Sequence, residues 1–131
     1  MRLCQYKGSA TVERNMNLIR ELLIKVAANP ELDGSSFYTF TPADIPDFSQ
    51  QELNYHVDLL FEGGYVEGNP RTEVPMISKL TWAGHEFVDN IRDPRIWNSV
   101  KERISGLPGV AITVVAQLAL AEMKKHLGLG A

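Results

Sequence analysis

The sequence predicts an α+β fold that is mostly helical, and three observations carry that expectation. The first is the run Asn54-Tyr55-His56-Val57-Asp58-Leu59-Leu60-Phe61-Glu62-Gly63-Gly64-Tyr65-Val66-Glu67-Gly68, an amphipathic helix broken by glycine and turned directly into a strand. The second is a hairpin pattern, in which Gly68-Asn69-Pro70-Arg71-Thr72-Glu73 joins two β-prone stretches. The third is the series of helical periods that fills the chain after Thr81. Helix, glycine stop and hairpin in that order are how a winged helix passes from its third helix into its wing. The chain therefore reads as a winged-helix-like domain with a small β-hairpin wing and additional C-terminal helices.

Each element has its own signal. A first helix is expected from about Asn15 to Ala28, where Met16, Ile19, Leu22, Leu23 and Val26 recur at spacings of three and four and Asn29-Pro30 ends the period. Ser36-Phe37-Tyr38-Thr39-Phe40 is rich in aromatic and β-branched residues and reads as a short strand. Thr41 to Ile45 suits one helical turn before Pro46, so the second helix of the motif is much reduced. Ser49-Gln50-Gln51-Glu52 fits a capping box, in which serine and glutamate satisfy each other's exposed backbone N–H groups. Leu53, Val57, Leu60 and Phe61 follow at helical spacing, and Gly63-Gly64 supplies the stop. The hairpin strands are Tyr65 to Glu67 and Val74 to Leu80, the second an edge because Pro75 cannot donate to a ladder.

Another helix starts near Thr81 with Gly84, Phe87, Val88 and Ile91 inward, and His85 is expected to bond the backbone beside Trp82. Asp93-Pro94 caps and opens the next, whose inward face is Ile96, Trp97, Val100 and Ile104. The final helix follows the turn Ser105 to Gly109, runs to about Leu127 and is apolar on nearly every side between Val110 and Ala121, apart from Thr113 and Gln117. It is expected to be buried on two sides, within the domain or against a second copy.

At 131 residues the chain suits one domain, and a domain of this size buries about 65% of its unfolded surface. Residues 1–12 lack any period and read as a tail, with Val12 an alternative start. Residues 13–131 form the domain, divided into a winged-helix part at 13–92 and a helical extension at 93–131. A net charge of -3 gives no bulk attraction to nucleic acid. The single cysteine, Cys4, excludes an intrachain disulfide and a multi-cysteine zinc site, and a cytoplasmic location is expected. No apolar stretch reaches the roughly 20 residues of a membrane span, and the first twelve residues do not resemble a signal peptide.

Three segments resemble a bacterial and phage family, domain of unknown function 2513. They are Glu13-Arg14-Asn15-Met16-Asn17-Leu18-Ile19-Arg20, Tyr55-His56-Val57-Asp58-Leu59-Leu60 with Gly64, and Leu80-Thr81-Trp82-Ala83-Gly84-His85-Glu86-Phe87-Val88-Asp89-Asn90-Ile91-Arg92-Asp93-Pro94. The last is the most specific, and Trp97 continues it. The resemblance covers about Val12 to Gly128 and implies a winged-helix-like fold of prophage origin. It transfers no site residue. More loosely, His56, Val57, Leu60, Gly64, Tyr65 and Val66 resemble the third helix and wing entry of small bacterial repressors, from which this helix departs by carrying no cation.

Two function classes follow. A DNA-binding transcriptional regulator would use the helix 49–62 in the major groove and the wing 68–74 on the backbone, with Gln51, Asn54, Tyr55, Arg71 and Lys79 as the contacts. Glu52, Asp58 and Glu62 oppose that use, since phosphate contacts need cations. The favoured class is a non-enzymatic module that binds a protein partner or itself, as a homodimer through Val110, Ile112, Val114, Val115, Leu118 and Leu120. Arg92, Arg95, Lys101, Arg103, Lys124, Lys125 and His126 form a second basic region, read as salt-bridged or solvated surface, or as the dock of an anionic partner. His56, His85 and His126 fall on three helices without metal-ligand spacing, and no nucleophile or phosphate-loop motif is present. No cofactor, metal or catalytic residue is expected.

Overall fold

The computed structural model describes residues 13–107 and 110–129. The expected tail with Cys4, and Pro108-Gly109 of the last turn, lie outside the described residues. The elements run α1 (Met16–Ala28), α2 (Gln50–Glu62), β1 (Val66–Asn69), β2 (Met76–Leu80), α3 (Trp82–Ile91), α4 (Pro94–Ile104) and α5 (Ile112–His126). The fold is α+β, with five helices and one antiparallel hairpin among the described residues.

Local chemistry sets most of the helix ends. Asn15 caps α1, its Oδ1 accepting from the N–H groups of Asn17 and Leu18 at 2.9 and 3.2 Å. The capping box of α2 is closed in both directions. Ser49 Oγ accepts from Glu52 N–H at 3.1 Å, and Glu52 Oε1 accepts from Ser49 N–H at 3.0 Å. Thr81 caps α3 through Gly84 N–H, and Asp93 caps α4 with Pro94 in its first turn. At the end of α2 only Gly64 adopts the left-handed backbone, φ +77°, whereas Gly63 stays right-handed. That reversal sends the chain into Tyr65 and β1.

One buried apolar cluster joins the elements. Leu18, Ile19, Leu22, Leu23 and Val26 of α1 meet Leu53, Val57 and Leu60 of α2, Ile77 and Leu80 of β2, and Phe87, Val88 and Ile91 of α3. Ile96, Trp97 and Val100 of α4 and Val115 and Ala119 of α5 complete it. Each helix thus buries the stripe that its 3.6-residue period selects.

The sheet differs from expectation. β1 pairs antiparallel with β2 through Val66↔Leu80, Glu67↔Lys79, Gly68↔Ile77 and Asn69↔Met76, with an irregularity between Glu67 and Gly68. The strand expected at Ser36–Phe40 contracts to a single bridge, Tyr38↔Ile77, held by backbone bonds of 2.8 and 2.9 Å. β2 is therefore paired on both sides at Ile77 and is not an edge there; Pro75 lies just before it, where no ladder bond is required. The turn at Thr41 is present as bonds from Asp44 and Ile45 N–H to Thr41 O, with no helix beyond it. Tyr38 Oη donates to Asp44 Oδ1 at 2.5 Å and Thr41 N–H to its Oδ2 at 2.9 Å, so one carboxylate organises this connection.

Candidate interaction surfaces

The helix α2 turns Leu53, His56, Val57 and Leu60 into the core. Its outward side carries Gln51, Tyr55 and Glu62, all exposed, with Asp58 half-buried beside them. Asn54 is already engaged: Gln50 Nε2 donates to Asn54 Oδ1 and to Phe40 O, both at 2.8 Å. This pair latches α2 to the preceding connection. Partial burial and the nearby Glu62 push the Asp58 carboxyl above the usual carboxylate range. α2 thus shows solvent two neighbouring acids and no cation.

In the hairpin, Arg71 is exposed at the turn, and its backbone N–H donates to Asn69 Oδ1 at 3.0 Å. Lys79 stands opposite Glu67 in the ladder, with 3.9 Å between their charged atoms. The DNA-facing set proposed from sequence therefore divides into exposed Gln51, Tyr55 and Arg71, a latched Asn54 and a paired Lys79.

The self-association set also divides. Val115 is buried, and Val110, Ile112 and Leu118 pack against the core, because α5 lies on α3 and α4. Only Val114 and Leu120 remain open, at 42% and 44% exposure. Within the single chain α5 is covered on one side only, with Thr113, Gln117, Ala121 and Lys124 sharing the outward side. Leu107, Leu127 and Leu129 are exposed nearby in sequence.

The second basic region is partly neutralised. Arg95 pairs with Asp93 at 2.8 Å, and Glu122 takes both Arg103 and, at 3.6 Å, Lys125. Arg95 holds the Asp93 carboxyl down to about 2.

The role expected of His85 falls to His56. His85 is exposed, as is Trp82 at 79%. His56 instead is buried, with Nδ1 2.7 Å from Glu52 O and Nε2 accepting from Asn15 N–H at 2.8 Å. An acceptor at Nε2 requires the proton on Nδ1. The signal was present in the spacing, since Leu53, His56, Val57 and Leu60 form one helical face. Among the described residues no three His, Cys, Asp or Glu side chains converge as a metal site would require. No helix among them is long and apolar enough to cross a membrane.

Comparison with known proteins gives two matches. The model of the family described as "Hypothetical protein (DUF2513)" matches residues 13–111. An uncharacterized protein of Haemophilus influenzae is 34% identical over 120 residues, covering 86% of this chain and 98% of the relative. No solved structure matches significantly.

Proposed function

The chain belongs to the DUF2513 family, and we propose that it is a non-enzymatic, prophage-type module on a winged-helix-like scaffold that acts by self-association through its C-terminal helix. The scaffold reading is supported by the order α1, a single turn at Thr41, α2 and the β1–β2 hairpin. The interaction reading is carried by one observation. Of the eight large apolar side chains exposed among the described residues, five (Leu107, Val114, Leu120, Leu127 and Leu129) fall in the segment that contains α5. Val114 and Leu120 flank the outward stripe of α5, and exposed apolar side chains concentrated in one stretch of the chain favour association between two copies related by a twofold axis.

Light scattering tests this. A dimer at micromolar concentration that becomes a monomer on Leu120→Glu, with the helical signal retained, supports the reading. A wild-type monomer at high micromolar concentration refutes it.

DNA binding through α2 and the wing has weaker support. Exposed Arg71 favours it, while the acids of α2 and the Glu67–Lys79 pair oppose it.

A further inference from the structure

α1 and α4 wall a cleft of about 410 Å³, which lies within the roughly 300–1,000 Å³ of small-molecule sites. On α4 the lining residues Pro94, Trp97, Asn98 and Lys101 follow the helical period, so one face of that helix forms the wall. Asn17, Arg20, Ile24 and Lys25 do the same from α1. The two walls are tied together where Trp97 Nε1–H donates to Asn17 Oδ1 at 2.9 Å.

Charge in the cleft is unequal. Arg20, Lys25 and Lys101 line it against a single carboxylate, Glu21. Among the described residues neither Lys25 nor Lys101 makes an ion pair, unlike Arg95, Arg103 and Lys125. Arg20 is fixed in place: its Nε donates to Ile91 O and one Nη to Arg92 O, both at 2.8 Å. Its guanidinium also stands 5.8 Å from the Trp97 ring centroid. These bonds use only part of the five-donor fork. Ile24 adds apolar surface between the cations, and Trp97, 3% exposed, forms the floor beneath them.

We propose that this cleft binds a small organic anion. Lys25, Lys101 and the unused edge of Arg20 meet its phosphate or carboxylate group, and its apolar or aromatic body lies toward Ile24 and Trp97. A rigid guanidinium beside two mobile ammonium groups suits an oxyanion, because the fork is already oriented while the lysines adjust.

The chain has two tryptophans, and they sit in opposite settings, which gives an internal control. In ¹H–¹⁵N spectra of the full chain, phenyl phosphate is expected to move the Trp97 indole N–H signal saturably, with Kd near or below about 1 mM. The Trp82 indole signal, from an exposed ring away from the cleft lining, stays in place. Lys25→Glu with Lys101→Glu should weaken binding at least about tenfold, the loss of two attractive charges. If that pair unfolds the chain, Lys25→Gln with Lys101→Gln serves, with a loss of at least about threefold expected on the same grounds. Benzoate identifies the anion: equal binding assigns oxyanions in general, and binding of phenyl phosphate alone assigns phosphate. No saturable movement up to about 10 mM phenyl phosphate, or a response indifferent to the lysine substitutions, overturns the proposal.

Discussion

The buried imidazole of His56 accepts a hydrogen bond from the backbone N–H of Asn15, the residue that caps α1, at 2.8 Å. One side chain of α2 thereby satisfies the first exposed donor of another helix. Burial pushes the His56 pKa below its ordinary value, outweighing the opposing effect of Glu52. Protonation would also set N–H against N–H at Nε2 and lose the bond.

The pH dependence follows in sign. The folded state holds His56 neutral, so the unfolded state binds the extra proton first, below about pH 6.5. This contribution to stability is complete above that value, falls as pH decreases toward the folded-state pKa, and levels off below it. Urea midpoints measured between pH 7.5 and 5, as approximate limits of that window, should decline in the wild type. His56→Gln should be less stable at neutral pH, and its midpoint should vary less across the same range. An equal slope in both proteins would show that another group is responsible. Below this window the depressed Asp93 carboxyl adds a second loss, as acid protonates it toward about 2.

Gly84→Ala should destabilise the fold by about 1–3 kcal/mol or more. A Cβ at this position would lie 2.1 Å from Tyr65 O, and backbone cannot swing away as a side chain would. Tyr65 O also accepts from Thr81 N–H at 3.0 Å, so relief at one contact disturbs the other. Thermal unfolding monitored by circular dichroism checks this; an unchanged midpoint would contradict the close approach.

Ser49→Ala opens the capping box and should cost about 1 kcal/mol. Ser49→Asp retains an acceptor and a favourable charge at the N-terminus of α2, and should recover most of that loss. Denaturant midpoints of the three proteins decide the matter, with equal losses for alanine and aspartate ruling against the cap.

For nucleic acid, gel shifts at low salt should show no complex with genomic fragments that depends on Arg71. A complex whose salt slope falls by about one on Arg71→Ala would instead establish wing contacts to phosphate.

Helices were legible because each carries a period and all but α5 a side-chain cap. Ser49 with Glu52, Asp93 with Pro94, and the apolar stripe of α1 depend on residues close in sequence, so they could be read directly. Tyr38 was misread because its strand-like neighbours find only one partner, Ile77, and pairing across that separation leaves no local mark. His85 was misplaced, and the role of His56 missed, for a related reason. Their fates turn on which helix face meets the core, and for His56 on an N–H forty-one positions away. The placement of the α5 residues was only partly legible: composition revealed more apolar residues than one face needs, but only packing on α3 and α4 decides that Val114 and Leu120 stay outside. The cleft between α1 and α4 could not be read at all, since Lys25 and Lys101 meet only through tertiary structure.

The bond from Trp97 Nε1 to Asn17 Oδ1 spans eighty positions, and Arg14 reaches the carbonyl of Val110 across ninety-six. During synthesis, therefore, α1 leaves the ribosome long before the groups that complete it exist. A nascent chain ending near Arg92 would expose the side of α3 that α5 and α4 later cover, and truncation there should yield a species prone to chaperone capture and aggregation. For this protein the N-terminal end of the first helix waits for bonding partners that only the last part of translation supplies.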